Sequence, residues 1–225
     1  MRIGRIGRRA TRDEHRKVFT RIHATNAWGS AESVSGPGST RARAATFLRD
    51  LIELLRRLNA RSLLDAPCGA FSWIEEAADA VPSYLGVDVV PDIIAANAES
   101  HSRAGRSFQC LDLTRDALPR SDVILCRDGL VHFSLADVHA ALDNIARSES
   151  TYLLTTTFVG PRKNSDIKTG SWRALNLERA PFLLPPPLAV IDEHCEHTGG
   201  IYRDKRLALW AIAALPRYSH AGVEA

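Results

Sequence analysis

Five short apolar runs recur along the chain, at Ser62 to Ala66, Tyr84 to Val89, Phe108 to Leu113, Val123 to Cys126 and Tyr152 to Thr157, and several of the intervals between them are helical in pattern. Strands alternating with helices predict a mostly parallel sheet covered on both faces, with any ligand bound at the carboxyl ends of the strands. Two intervals are distinct as helices. From Arg41 to Asn59 the residues Phe47, Leu48, Leu51, Ile52, Leu55 and Leu58 fall at three- and four-residue spacings, which is one buried face. From Ser134 to Arg147, Ser134 is placed as an N-cap with Asp137 three residues on, ahead of the stripe Val138, Ala141, Leu142 and Ile145.

The last third reads differently. The run PFLLPPP, Pro181 to Pro187, excludes a regular helix or central strand. Two strand-like runs then follow, around Ala189 to Cys195 and Arg206 to Ala213, and predict an antiparallel hairpin at the end of a seven-stranded sheet. Between them and the fifth strand, residues 158–188 have little periodicity, so they are expected to form a lid or substrate-side loop. Residues 24–40 are rich in Gly and Ser and carry no apolar period, which makes them a loop ahead of the core. The expected division is an N-terminal basic arm and covering loop over 1–40, then one domain over 41–225.

Bulk properties bound the function. The 225 residues suffice for a sizeable core, and a hydrophobic share of 45% with 24% charged residues is that of a water-soluble globular chain. No apolar run is long enough to span a membrane. No apolar leader follows the first residues, so a cytoplasmic location is expected. The cysteines Cys68, Cys110, Cys126 and Cys195 are scattered, without the pairing of a disulfide or zinc framework. The first seventeen residues hold seven basic and two acidic groups, but no aromatic platforms, so a nucleic-acid partner is not expected and the arm reads as a solvated terminus.

Four carboxylates stand at the ends of successive runs: Asp65, Asp88, Asp112 and Asp128. The loop after the first, LLDAPCGAFSW at 63–73, has one glycine, Gly69, where a dinucleotide fingerprint would place three. A glycine-poor bend headed by a carboxylate suits a cationic ligand without phosphates, and Asp88 is placed to accept from a ribose diol. Adenosine carrying a sulfonium amino acid meets both requirements.

At this point the text resembles the class I S-adenosylmethionine-dependent methyltransferases, a Rossmann-like α/β fold. DAPCGAF at 65–71 is similar to their first cofactor loop, YLGVDVVPDII at 84–94 to their second strand, and CLDLT at 110–114 to their adenine-side segment. More narrowly, WGSAESVSGPGS, LLDAPCGAFSW, LCRDGLVHFS, TTTF and residues 164–177 resemble a bacterial group that includes the sugar 1-O-methyltransferases of mycobacterial methylmannose polysaccharide synthesis. The loop departs from many such relatives in having Ala70 where Asp is expected. The resemblance implies S-adenosylmethionine as cofactor. It implies that Ala66, Pro67, Cys68 and Gly69 present backbone to the methionine part and that Asp65 meets its amino group. It further implies Asp88 on the ribose, Val89 and Leu113 at the adenine, Asp112 on its exocyclic amine, and Arg127 on the cofactor wall. Ser35 and Ser39 would close over the cofactor carboxylate.

A sugar hydroxyl is barely ionised at neutral pH, so its methylation needs a base worth on the order of 10² to 10⁴ in rate. In ILCRDGLVHFS, residues 124–134, His132 is the first candidate and Asp128 the second. Trp172, Arg173, Asn164, Asp166 and Asn176 offer a stacking face and polar groups for a small-molecule or oligosaccharide substrate, with Trp28 as a second face. The segment DEHCEH at 192–197 does not assemble four ligands on one strand face, and no protein-bound metal is expected. A divalent ion shared by Asp128 and Asp166 stays open, as does oligomeric state. Two other functions fit less well: methylation of another small molecule, and cofactor binding without catalysis.

Overall fold

In the computed structural model, which describes residues 8–27, 41–195 and 199–218, the apolar runs form the strands β1 (Ser62–Asp65), β2 (Ser83–Asp88), β3 (Arg106–Cys110), β4 (Val123–Cys126), β5 (Tyr152–Phe158), β6 (Ala189–Asp192) and β7 (Lys205–Ala211). They make one sheet of order β3-β2-β1-β4-β5-β7-β6. β1 to β5 pair in parallel, and β7 is antiparallel to both β5 and β6. The C-terminal hairpin therefore inserts its second strand between β5 and β6. This is a Rossmann-like α/β topology, a mostly parallel sheet with one antiparallel strand near its end.

Helices α1 (Arg12–Ala24), α2 (Arg41–Arg57), α3 (Glu75–Asp79), α4 (Pro91–His101) and α5 (Leu135–Arg147) surround the sheet. The two-residue strand period divides the core. Leu64, Ile124, Leu153, Ala208 and Trp210 face a core that includes α5 and the 175–184 segment. Leu63, Val123, Leu125, Leu154, Leu207 and Leu209 face the other core, with α2 and α3. Ser134 caps α5 as its spacing predicts, its side chain accepting from the Asp137 amide.

Two expectations shift. β3 ends at Cys110, so Asp112 lies beyond the strand, because Leu111 and Leu113 mimic strand alternation but line a cleft. The basic arm is no frayed terminus over 12–24: Thr11 and Glu14 form a capping box that starts α1. Trp28, Ser35 and Ser39 lie outside the described residues.

Candidate functional site

At the carboxyl edge of the sheet, the ends of β1, β2 and β4 and the inner side of α1 enclose a cleft of about 1010 Å³, its open mouth included. Asp65 ends β1, 2% exposed, and accepts a 2.7 Å hydrogen bond from the Tyr84 hydroxyl. Burial raises its pKa to about 7 despite that bond. Asp88 ends β2, accepting from the Val90 amide at 3.0 Å and the Gly69 amide at 3.2 Å, with burial again raising it above the usual carboxylate range.

The bend between them is held from inside. The Ala66 amide donates to the Leu125 carbonyl at 2.8 Å and the Cys68 amide to the Val87 carbonyl at 2.9 Å. Pro67 has no amide hydrogen, and Gly69, at φ 54, gives its amide to Asp88. Every backbone donor of 66–69 is thus used within the protein, which leaves carbonyls and carboxylates for a ligand. Such a surface favours a cation and offers no cradle for phosphate. Asn97 of α4 secures the bend, its amide nitrogen 2.7 Å from the Gly69 carbonyl. Gly129 lets the β4 end nest against it, since a Cβ there would lie 2.5 Å from Pro67 Cδ.

Val89, Leu111, Leu113, Phe19 and Phe133 form an apolar wall beyond Asp88. Asp112 lines this side, but its oxygens are engaged. Oδ2 lies 2.9 Å from His15 Nδ1, and Oδ1 accepts from the Thr114 amide and hydroxyl at 2.8 Å each. Through His15, Asp112 also holds α1 in place. His15 Nε2 is 3.2 Å from Asp137 Oδ2, and the ring stacks on Phe133 at 5.5 Å. Although burial opposes the charge, the two carboxylates raise His15 to about 9.

At the end of β4, Arg127 and Asp128 join a buried set of four charges. Arg127 donates to Glu193 Oε2 from Nε at 3.0 Å and Nη2 at 2.7 Å. Lys205 Nζ reaches Asp128 Oδ2 at 2.7 Å and Glu193 Oε2 at 3.0 Å. The Arg127 guanidinium also lies over the rings of Phe47 and Trp73, 4.7 and 4.8 Å from their centroids. Burial works against ionisation of Asp128, but Lys205 and Arg127 outweigh it and hold the carboxyl well below its usual range. A carboxylate so stabilised is a weaker proton acceptor than the neutral ring of His132.

His132 closes a 3-10 turn, Leu130–His132, and lines the cleft. Its Nδ1 is 2.9 Å from the Ser171 carbonyl. A carbonyl only accepts, so Nδ1 carries the proton and Nε2 of the neutral ring carries the lone pair. Burial lowers its pKa below the ordinary histidine value, which keeps the ring neutral and able to take a proton.

The polar residues of the 159–188 connection bond within it or fasten it to the turn and helix that follow β4. Asn164 Nδ2 donates to the Asn176 and Ala180 carbonyls, and Asn176 Nδ2 to the Gly160 carbonyl. Arg173, buried, donates to the carbonyls of Ser165, Leu130 and Val131. Asp166 Oδ1 accepts from the Leu135 and Ile167 amides. None of the four lines the cleft. Backbone groups of the connection, and of the turn and α5 that it packs against, are their partners here. Asp166 and Asp128 are bonded to other groups of the protein, and among the described residues no three His, Cys, Asp or Glu side chains cluster to hold a metal. Trp172 does not line the cleft either, but it is 42% exposed, edge-on to Tyr202 at 4.9 Å. Among the described residues no helix is long and apolar enough to cross a membrane.

Sequence reasoning missed His15, Asn97, Trp73, Lys205 and Glu193. The Thr11–Glu14 capping pattern was the available signal for α1.

No protein-family model and no curated protein matches the chain. Among solved structures, the fold is similar to that of magnesium protoporphyrin IX methyltransferase from Synechocystis PCC 6803 with bound S-adenosylhomocysteine, at 14% identity over 70% of this chain and 83% of that one, TM-score 0.49. It is also similar to the sugar N-methyltransferase KedS8 of Streptoalloteichus sp ATCC 53650, at 23% identity over 61% of this chain and 60% of that one, TM-score 0.45. The amino pentose methyltransferase CalS10 of Micromonospora echinaspora matches at 21% identity over 53% of this chain and 52% of that one, TM-score 0.44.

Proposed function

We propose that the protein is an S-adenosylmethionine-dependent O-methyltransferase acting on a hydroxyl of a sugar or sugar-containing acceptor, with His132 as general base. The observation that carries the cofactor is the bend at 66–69: its amides are all internally bonded, and it is bracketed by Asp65 and Asp88. Carboxylates and carbonyls fit an ammonium, a sulfonium and a ribose diol, and give nothing to a pyrophosphate. When bound, S-adenosylmethionine supplies a methyl carbon already activated by its sulfonium.

The protein's residues then have defined tasks. Asp65 would hold the amino group and Asp88 the ribose hydroxyls, while Val89, Leu111, Leu113 and Phe133 flank the adenine. Arg127, fixed by Glu193 and two aromatic rings, presents a fixed positive charge on the opposite wall. His132, oriented by the Ser171 carbonyl, takes the proton of the acceptor hydroxyl as the oxygen attacks. Loss of water from the cleft strengthens these contacts. The choice of a sugar rests on the resemblance of residues 28–39, 63–73, 125–134 and 164–177, and on the exposed Trp172 as a stacking face.

Titration with S-adenosylhomocysteine tests the cofactor: a saturable rise in melting temperature is expected, worth about 2.7 kcal/mol at a ligand concentration one hundred times its Kd. Absence of any shift would overturn the reading. Labelled donor with a panel of methylated and unmethylated mannosides and glucosides, alongside non-sugar alcohols, phenols and amines, tests the acceptor, and label appearing only in the non-sugar acceptors would refute the sugar assignment.

A further inference from the structure

Helix α1 sits on the cleft by means unlike those of α5. Both have thirteen residues, but α5 buries eleven while α1 buries only His15 and Ile22. Partly exposed Phe19 packs edge-on to Phe133 at 5.8 Å and Val18 lies against Gly170, and the other attachments of the segment are polar. Arg12 reaches the Cys110 carbonyl at 3.4 Å and Asp116 at 3.1 Å, and the Ala10 amide donates to Asp137 Oδ1 at 2.9 Å. A helix with so little apolar contact lies at the low end of local stability. Yet its residues His15, Phe19, Ile22 and His23 are one wall of the cleft. A nucleoside in the cleft would cover the inner sides of Phe19 and Ile22, so helix and ligand would each bury apolar surface of the other.

One buried contact singles out the docked position. The His15 ring lies between Asp112 of the β3–β4 connection and Asp137 of α5, at 2.9 and 3.2 Å, with Phe133 stacked beneath. Asp137 also accepts from the Thr169 hydroxyl at 2.6 Å, and the Gly170 amide donates to the His132 carbonyl at 2.8 Å. A Cβ on Gly170 would strike Val18 of α1 at 2.4 Å. The same latch therefore joins the helix to the turn that bears His132.

We propose that α1 is a cover over the nucleoside side of the cleft, latched by His15 between Asp112 and Asp137, and that its docking and ligand binding strengthen each other. His15 is a positioning residue: it acts through α1 and through the carboxylates it holds. This rests on the reading of the cleft as an S-adenosylmethionine site. Coupling of this kind is reciprocal, so a ligand that prefers the docked helix must stabilise it by the same factor.

The test is hydrogen exchange of the full chain with and without S-adenosylhomocysteine, together with calorimetric titration of wild type and His15→Gln. Saturating ligand is expected to slow exchange over residues 12–24 of the wild type by at least about tenfold. His15→Gln is expected to raise Kd by at least about tenfold and to abolish that ligand-dependent protection, leaving α5 exchange unchanged. Ligand binding to wild type with no change over 12–24 overturns the proposal, and so does a variant that binds as tightly as wild type. The wild-type exchange experiment decides even where the variant fails to fold. Failure of the wild type to bind the ligand is a separate result, which removes the cofactor reading itself.

Discussion

An aspartate in water titrates near 3.9, whereas burial at the end of β1 moves Asp65 to about 7. The form that binds an ammonium is the carboxylate, so the cleft must lose a proton to bind when pH is below that value. Affinity for S-adenosylhomocysteine should be level from about pH 7 up to the range near pH 9 where the His15 latch is lost, and fall by up to about tenfold per pH unit below about 7, as read by calorimetry. Tyr84→Phe removes the hydroxyl that favours the ionised form, so it should move the falling limb to higher pH. An affinity independent of pH would show that Asp65 does not meet a cation. For His132 the sign is opposite in origin but similar in outcome. Its lowered pKa means that kcat stays level as pH falls through the ordinary histidine value near 6.5 and drops only below it. His132→Ala should cost about 10² to 10⁴ in kcat while S-adenosylhomocysteine still binds. A loss below tenfold would deny it the role of base. At this scale the sequence was legible where a carboxylate ended an apolar run, as for Asp65 and Asp88. It was not legible for Asn164, Arg173 and Asn176, because residue type does not tell whether an amide or guanidinium meets a ligand or a backbone carbonyl of the protein.

At the scale of elements, the latch between α1 and α5 makes docking depend on pH. His15 is raised above its unfolded value near 6.5, so its contribution is fully present below that pH and is lost as pH rises through about 9. Its partners Asp112 and Asp137 are depressed, the latter to about 2, so their contribution is present above the unfolded value near 3.9 and is lost at lower pH. The latch is thus complete between roughly pH 4 and 6.5. The melting temperature of wild type relative to His15→Gln should be greatest in that window and converge above pH 9; a difference that does not vary with pH would argue against an ionised latch. None of this was visible in the sequence, since His15 meets Asp112, 97 residues away along the chain. The helix itself was signalled by Thr11 and Glu14, but the density of arginine around them outweighed the cap. The α5 boundary was readable because Ser134 and its apolar stripe are local.

Over the whole molecule, the fold was legible because both cores follow the two-residue strand period within short runs. Ile124, fully buried at the centre of β4 between β1 and β5, tests that reading. Ile124→Ala should lower unfolding free energy by about 2–5 kcal/mol, measured by denaturant titration; a loss under 1 kcal/mol would mean that β4 is not central. What the runs did not reveal was the slot for the last strand, because pairing partners across a long connection are not encoded locally. That slot has a consequence for synthesis. Among the described residues β6 pairs only with β7, and β5 waits for β7 on its open side. A nascent chain that has emerged only as far as β6 therefore exposes a raw sheet edge and leaves Asp128 and Glu193 without Lys205, so native assembly is deferred until that final segment leaves the ribosome.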